Sequence, residues 1–207
     1  MEGIFITIEG PDGAGKSTQI DLLKNYLESK GYDIVITREP GGTKISEVIR
    51  NIILNTEFTD MSYMTELLLY AASRAQLVNQ VIEPALLAGK AVICDRFVDS
   101  SAVYQGIGRG LGVDTVYEIN NFALGNIKPM LTLFLDLDAE QGLKRKKNDA
   151  KPDRMEMEKI SFHERVVEGY RKLAEIYSDR IVSFDASLPV EEIHEKIIKE
   201  VESRFFA

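Results

Sequence analysis

The chain carries a single cysteine, Cys94, among 207 residues. It cannot close an intramolecular disulfide, so a reducing cytoplasm is the expected setting. A basic excess is also missing. Thirty-three Asp and Glu outnumber 25 Lys and Arg, for a formal net charge of −8. Nucleic acid and anionic membranes call for positive surface, so neither is expected as a main partner. No apolar run nears the roughly 20 residues that span a bilayer. The opening Met1-Glu2-Gly3 has neither the basic start nor the cleavage pattern of a secretory signal. Repeats, low-complexity tracts and Ser/Gly linkers are absent as well. The length then suits a single domain over 1–207, with room for a small mobile insert.

What is present alternates. Ile4–Ile8, Ile34–Thr37, Ala91–Cys94, Leu131–Leu135 and Ile181–Phe184 are short apolar runs. Their lack of in-out alternation predicts strands covered on both faces of a parallel sheet. Between them run helical stripes: Ile20, Leu23 and Leu27; Ile160, Val167, Tyr170, Leu173 and Tyr177; Val190, Ile193, Ile197 and Val201. Strand-helix alternation of this kind predicts a doubly wound α/β sheet, with ligands beyond the carboxyl ends of its strands.

Directly after the first run comes Gly10-Pro11-Asp12-Gly13-Ala14-Gly15-Lys16-Ser17, followed by Thr18 and an amphipathic stretch. This is a full phosphate-binding-loop pattern in its required strand-loop-helix context. Glycines let backbone N–H groups wrap phosphate oxygens at a helix N-terminus. Lys16 would reach the outer phosphates of ATP and the Ser17 hydroxyl would help hold Mg²⁺. The expected fold is therefore α/β, the P-loop nucleoside triphosphate hydrolase fold. It would have a five-stranded parallel sheet flanked by helices, with a small lid.

The loop by itself does not name a reaction. No Asn-Lys-x-Asp segment is present to read guanine. Neither Asp95 nor Asp136, each ending an apolar run, is followed by a Glu that would activate water. Those absences favour a kinase over a GTPase or an ATPase.

Other strand ends supply charge. The second leads into Arg38-Glu39-Pro40-Gly41-Gly42-Thr43 and the third into Asp95-Arg96-Phe97. Each arginine alone reads as a surface cation paired with the acid beside it, Glu39 or Asp95. Two of them at strand ends beside a P-loop favour a second phosphate site. Asp95 is a candidate for Mg²⁺ or its water shell. Tyr70 and Arg74 fall one helical turn apart, a pair able to stack a base and bond its edge. From these residues alone, a core tyrosine beside an arginine reaching for water is the simpler reading. The segment of about 143–159 holds Lys144, Arg145, Lys146, Lys147, Lys151, Arg154 and Lys159. It reads equally as a solvated charged loop or as a lid that closes over phosphates.

In this order the segments resemble bacterial thymidylate kinase (dTMP kinase), along essentially the whole chain. The P-loop is generic. Arg38-Glu39-Pro40-Gly41-Gly42-Thr43, then Asp95-Arg96-Phe97, then Tyr104-Gln105-Gly106 is far more specific. The resemblance implies that Arg38 and Arg96 hold the acceptor phosphate and that Asp95 lies near the metal. It places Tyr70 against thymine, Arg74 on a thymine carbonyl, and Ser101 and Gln105 close to base and sugar. Asp12 would meet the 3′-hydroxyl, and Tyr104 would crowd the ribose 2′ position. A cis bond at Glu39–Pro40 and a homodimer are further implications. Where some members carry an Arg in the P-loop, this chain has Gly13. The catalytic cation would then come from the lid, at Arg154, with Arg145 and Lys147 assisting.

The expected activity is ATP-dependent phosphorylation of dTMP to dTDP, by in-line transfer with Mg²⁺. The alternatives are another nucleoside monophosphate kinase, or a nucleotide-dependent switch without kinase activity.

Overall fold

The computed structural model describes residues 3–146 and 152–206. Five strands are β1 Ile4–Glu9, β2 Ile34–Arg38, β3 Ala91–Asp95, β4 Leu131–Asp136 and β5 Ile181–Asp185. Each runs one residue past its apolar stretch, so every strand ends on a charged side chain. They form one parallel sheet in the order β2-β3-β1-β4-β5. The central three are buried along their apolar lengths. The edges differ from expectation. β2 and β5 expose part of one face, and Ile36 is 45% exposed. An edge strand has only one neighbour to share its cover, which a run of apolar letters does not reveal.

The helices are α1 Lys16–Ser29, α2 Lys44–Leu54, α3 Tyr63–Leu77, α4 Glu83–Leu87, α5 Val98–Ser101, α6 Val113–Leu124, α7 Ala139–Lys146, α8 Ile160–Ile176 and α9 Val190–Phe205. Thr43 and Ser62 cap α2 and α3, their side-chain oxygens accepting from Ser46 N and Thr65 N. One core layer sets Ile20, Leu23 and Leu27 of α1 and Ile193, Ile197 and Val201 of α9 against the sheet. The opposite layer holds Phe134, Val166, Tyr170 and Leu173 with Leu67 of α3. The expected stripes are therefore the buried ones, except for Ile160 and Val190 and for the half-buried Tyr177. Ile160 and Val190 open their helices and remain exposed.

Two π-helical stretches extend this helical frame. Val78–Ile82 joins α3 to α4, and Ala102–Gly108 continues α5. The second carries Tyr104 and Gln105, where a widened turn re-aims side chains relative to an α-helix. The Glu39–Pro40 bond is cis, as the family resemblance implies.

Leu133 on β4 is fully buried among Ile6, Leu23 and Ile193. Leu133→Ala is expected to lower unfolding free energy by about 2–5 kcal/mol, whereas Leu87→Ala, at an exposed position, should stay within about 0.5 kcal/mol. Urea denaturation of both variants checks the pair, and equal losses would contradict this account of the core.

Candidate active site

Sheet register assembles the site. Ile8 lies opposite Asp95, and Arg38 lies opposite Asp95 from the other side. The P-loop, the Arg38 segment and the Asp95-Arg96 turn therefore leave the sheet at one level. Lys16, at the start of α1, folds over the loop and donates through Nζ to the Pro11 carbonyl at 2.9 Å and the Gly10 carbonyl at 3.2 Å. Burial, then the nearby Arg96 charge, pulls its pKa down to about 8. Ser17 and Thr18 are exposed on the first turn of α1.

Gly13 has φ 76°, and a Cβ there would collide with the Gly142 carbonyl of α7. A long P-loop cation at this position is thus excluded by backbone packing. Arg145, one turn further along α7, instead donates to the carbonyls of Gly13 at 3.4 Å and Ala186 at 3.0 Å.

Ser17 and Asp95 share a cavity with Thr37, Arg38 and Gly42. Asp95 Oδ1 is buried there without a hydrogen-bond partner among the described residues. A serine hydroxyl and an unsatisfied carboxylate oxygen beside a phosphate loop suit Mg²⁺, which keeps most of its shell as water and phosphate oxygens. Among the described residues no cluster of three or more His, Cys, Asp or Glu offers an all-protein cage.

Arg96 adopts φ 67°, uncommon for a residue with a side chain. Its backbone N–H donates to the Ile8 carbonyl at 3.0 Å, tying the turn to β1. Its guanidinium donates to Asp12 Oδ1 at 2.8 Å and lies 5.3 Å from the Tyr104 ring centre. Glu9 governs this turn. Its buried carboxylate accepts from Phe97 N at 2.7 Å, Ser100 Oγ at 2.5 Å and Tyr170 Oη at 2.8 Å. The Arg96 guanidinium lies 3.4 Å from both Ser100 Oγ and Tyr170 Oη. Burial, with the Asp99 charge second, pushes the Glu9 pKa up to about 7.

A cleft open to solvent lies beside Arg96. Of the residues expected to meet substrate, Asp12, Tyr70, Arg74 and Arg96 line it, as do Ser101, Tyr104 and Gln105. Arg74 is fully buried rather than reaching water. It pairs with Glu39 and donates to Asn120 Oδ1 and, at 3.1 Å, to Ser101 Oγ. Arg50 also lines the cleft and donates to the Pro40 carbonyl at 2.9 Å.

Two expected site residues stand elsewhere in the described structure. Arg38 is not on this cleft: it is half-exposed, donates through one terminal nitrogen to both Glu47 carboxylate oxygens at 3.0 Å, and lines the Ser17–Asp95 cavity. Neither arginine pairs with its neighbouring acid, since Arg96 takes Asp12 and Glu39 takes Arg74. Arg154 does not face the P-loop either. It is buried, donates Nε to the Ile53 carbonyl at 2.7 Å and lies 2.6 Å from Glu66 Oε2. A fully buried carboxylate draws in whatever cation can reach it, and Arg154 can. Lys147 and Lys151 lie outside the described residues.

Sequence reading missed Glu9, Glu39, Arg50, Ser100 and Tyr170. Glu9 offered a signal, an acid closing an apolar strand immediately before the P-loop. Tyr170 was expected in the core, where its ring does stack on Phe134 at 5.0 Å. Its hydroxyl had no sequence marker.

Because the folded-state pKa of Glu9 lies above the ordinary carboxylate value, folding favours the protonated form. The contribution of Glu9 to stability is full below pH 4.5 and is lost as pH rises through about 7. The difference between wild type and Glu9→Gln in urea-unfolding free energy should therefore shift by roughly 2–3 kcal/mol between pH 4.5 and 7.5, against wild type at the higher pH. Parallel pH profiles would show that Glu9 titrates normally.

A family model described as Thymidylate kinase matches residues 8–197. A thymidylate kinase of Geobacillus sp. (strain WCH70) is 52% identical over 195 residues, 93% of each chain. One from Bacillus cytotoxicus is 50% identical over 206 residues, 99% of each. Among solved structures, a thymidylate kinase from Ehrlichia chaffeensis superposes with TM-score 0.78 at 31% identity, covering 97% of this chain and 99% of its own. The chain belongs to the thymidylate kinase family.

Proposed function

We propose that the chain transfers the γ-phosphoryl of ATP to the 5′-phosphate of dTMP, giving ADP and dTDP, with Mg²⁺ as cofactor. One observation carries this reading. Arg96 reaches Asp12 of the P-loop while lining the cleft that holds Tyr70, Arg74 and Gln105, so a donor loop and an acceptor cleft meet at one guanidinium.

An acceptor phosphate is anionic near neutral pH, so no general base is required. One of its oxygens forms the new bond to the γ-phosphorus as the bond to the β-phosphate bridging oxygen breaks. The chain contributes positioning and charge. Loop residues 10–18 cradle the triphosphate, and Lys16 moves from the loop carbonyls to the outer phosphates. Ser17 and Asp95 would hold Mg²⁺, which supplies charge neutralisation on the phosphate oxygens. Arg96 grips the acceptor phosphate, joined by Arg38 once its pair with Glu47 gives way. Arg145, already at the P-loop, is the best-placed insert cation in the described structure.

On the acceptor side Tyr70 stacks on the base, with Arg74, Ser101 and Gln105 at its polar edge. Asp12 meets the 3′-hydroxyl and Tyr104 crowds the 2′ position. The whole chain works as one catalytic domain, with the insert of about 143–159 as its lid. The family relationship and the buried, free Cys94 support a cytoplasmic enzyme. No helix among the described residues is long and apolar enough to cross a membrane.

A homodimer accounts for the exposed apolar surface on α2, α3 and α6. Ile45, Val48 and Ile52 form one row on α2, Met64 and Leu68 another on α3, and Phe122 of α6 is 95% exposed. α3 packs against both other helices, which brings these residues onto neighbouring surface.

Arg96→Ala is expected to cut kcat by about 10²-fold or more with dTMP while nucleotide binding to the P-loop persists. A coupled assay of ADP release, run across a panel of monophosphates, measures this. Turnover within a few-fold of wild type would remove Arg96 from the transfer. Separately, Leu68→Glu should convert a dimer into a monomer by light scattering. An unchanged mass would place the apolar face outside any subunit interface.

A further inference from the structure

Glu66 sits on α3 with no exposed surface, yet three hydrogen-bond donors and a further guanidinium converge on it. Gln105 Nε2 donates to Oε1 at 2.9 Å. Arg109 donates through Nε to Oε1 and through a terminal nitrogen to Oε2, each at 3.1 Å. Arg154 lies 2.6 Å from Oε2. Arg109 reaches on to Glu158, and the backbone N–H of Arg154 donates to the Leu54 carbonyl at 3.2 Å. One carboxylate therefore joins the π-helical stretch carrying Gln105 to the chain segment 153–158, whose Asp153 and Met155 form part of the cleft wall.

We propose that Glu66 is a positioning residue for acceptor-base specificity: by taking the Gln105 amide N–H, it fixes which end of that amide the cleft presents. The inference rests on the dTMP kinase reading above and deepens it. An ionised carboxylate accepts hydrogen bonds and donates none. Facing it, the Gln105 amide must turn its NH₂ toward Glu66, which leaves its carbonyl oxygen as the end available to a ligand. A glutamine without such a neighbour can present either end. Burial alone would raise the Glu66 pKa, but the hydrogen bonds from Arg109 and Gln105 and the charges of Arg109 and Arg154 hold it below the usual carboxylate range. The carboxylate thus stays ionised across neutral pH, and the amide orientation is held with it.

The pattern that results is specific. Arg74 offers donors only, and Gln105 offers an acceptor, both on the same cleft. Thymine presents a ring N–H beside a carbonyl oxygen, which complements that pair. Cytosine presents a bare ring nitrogen beside an amino group. It would set acceptor against acceptor and donor against donor at nearly the same ring size. A site committed to hydrogen-bonding one pattern rejects its reverse strongly, because buried polar groups are left unpaired.

The test compares kcat/KM for dTMP and dCMP, with ATP, in wild type and four variants. Glu66→Gln can donate as well as accept, so it releases the amide, and the dTMP:dCMP ratio should narrow tenfold or more. Glu66→Asp remains an acceptor and should keep a ratio close to wild type even if both rates fall. Arg109→Lys keeps a cation beside Glu66 without touching Gln105 and should shift both substrates in parallel. Gln105→Met leaves Glu66 with its arginines and should narrow the ratio as Glu66→Gln does. It also decides the matter if Glu66→Gln does not fold. A wild-type ratio in Gln105→Met, or equal narrowing in Glu66→Gln and Arg109→Lys, would overturn the role of Glu66 while leaving the kinase reading intact. Absence of dTMP turnover by wild type would instead sink the kinase reading.

Discussion

The structure depends on the parallel register of β1 between β3 and β4. With Ile8 opposite Asp95, and Arg38 opposite Asp95 on the far side of β3, three chain segments emerge together at the carboxyl edge. A register shift of one residue would turn Asp95 and Glu9 to the opposite faces of their strands. The P-loop would survive such a shift as a phosphate binder. The joint between donor loop and acceptor cleft would not, since it hangs on the Arg96 N–H reaching the Ile8 carbonyl.

Buried glutamates then decide where the cations point. Glu9 gathers the Phe97 N–H and two hydroxyls, and so shapes the turn that carries Arg96. Glu39 holds Arg74 at the cleft instead of letting it reach solvent. Glu66 draws Arg109 and Arg154 inward. An unpaired buried carboxylate is costly, and removing one partner of such a pair typically destabilises by about 3–5 kcal/mol. Each glutamate is therefore a strong local constraint on the direction of a long, otherwise flexible side chain. The protein carries a net charge of −8, yet its cleft is lined by Arg50, Arg74 and Arg96. The same cleft holds Asp12, Glu39, Asp153 and Glu156, so local pairing, and not an excess of positive charge, keeps guanidiniums in the site.

The insert follows the same logic. Gly13 and Gly142 pack backbone to backbone, so α7 rests directly on the P-loop and no side chain fits between them. That contact removes one route for a cation into the donor site and leaves Arg145 at the loop's edge. Of the two arms, the outgoing one touches the donor loop, and the returning one, through Asp153 and Met155, walls the acceptor cleft.

The strand runs, the helical stripes and the phosphate loop were readable from local spacing, because each depends on a period or a motif carried by neighbouring residues. Tyr70 and Arg74 were placed side by side by helical geometry alone. The sequence by itself therefore determined the α/β architecture, the donor loop and the family. Tertiary structure alone decided which acid each arginine would meet. Glu39 finds Arg74 rather than Arg38, Arg96 finds Asp12, and Arg154 finds Glu66 rather than a phosphate. The reason is physical: a guanidinium on a flexible stem settles on the carboxylate that the fold brings within its reach. Nearness between residues dozens of positions apart exists only once the sheet has brought them together.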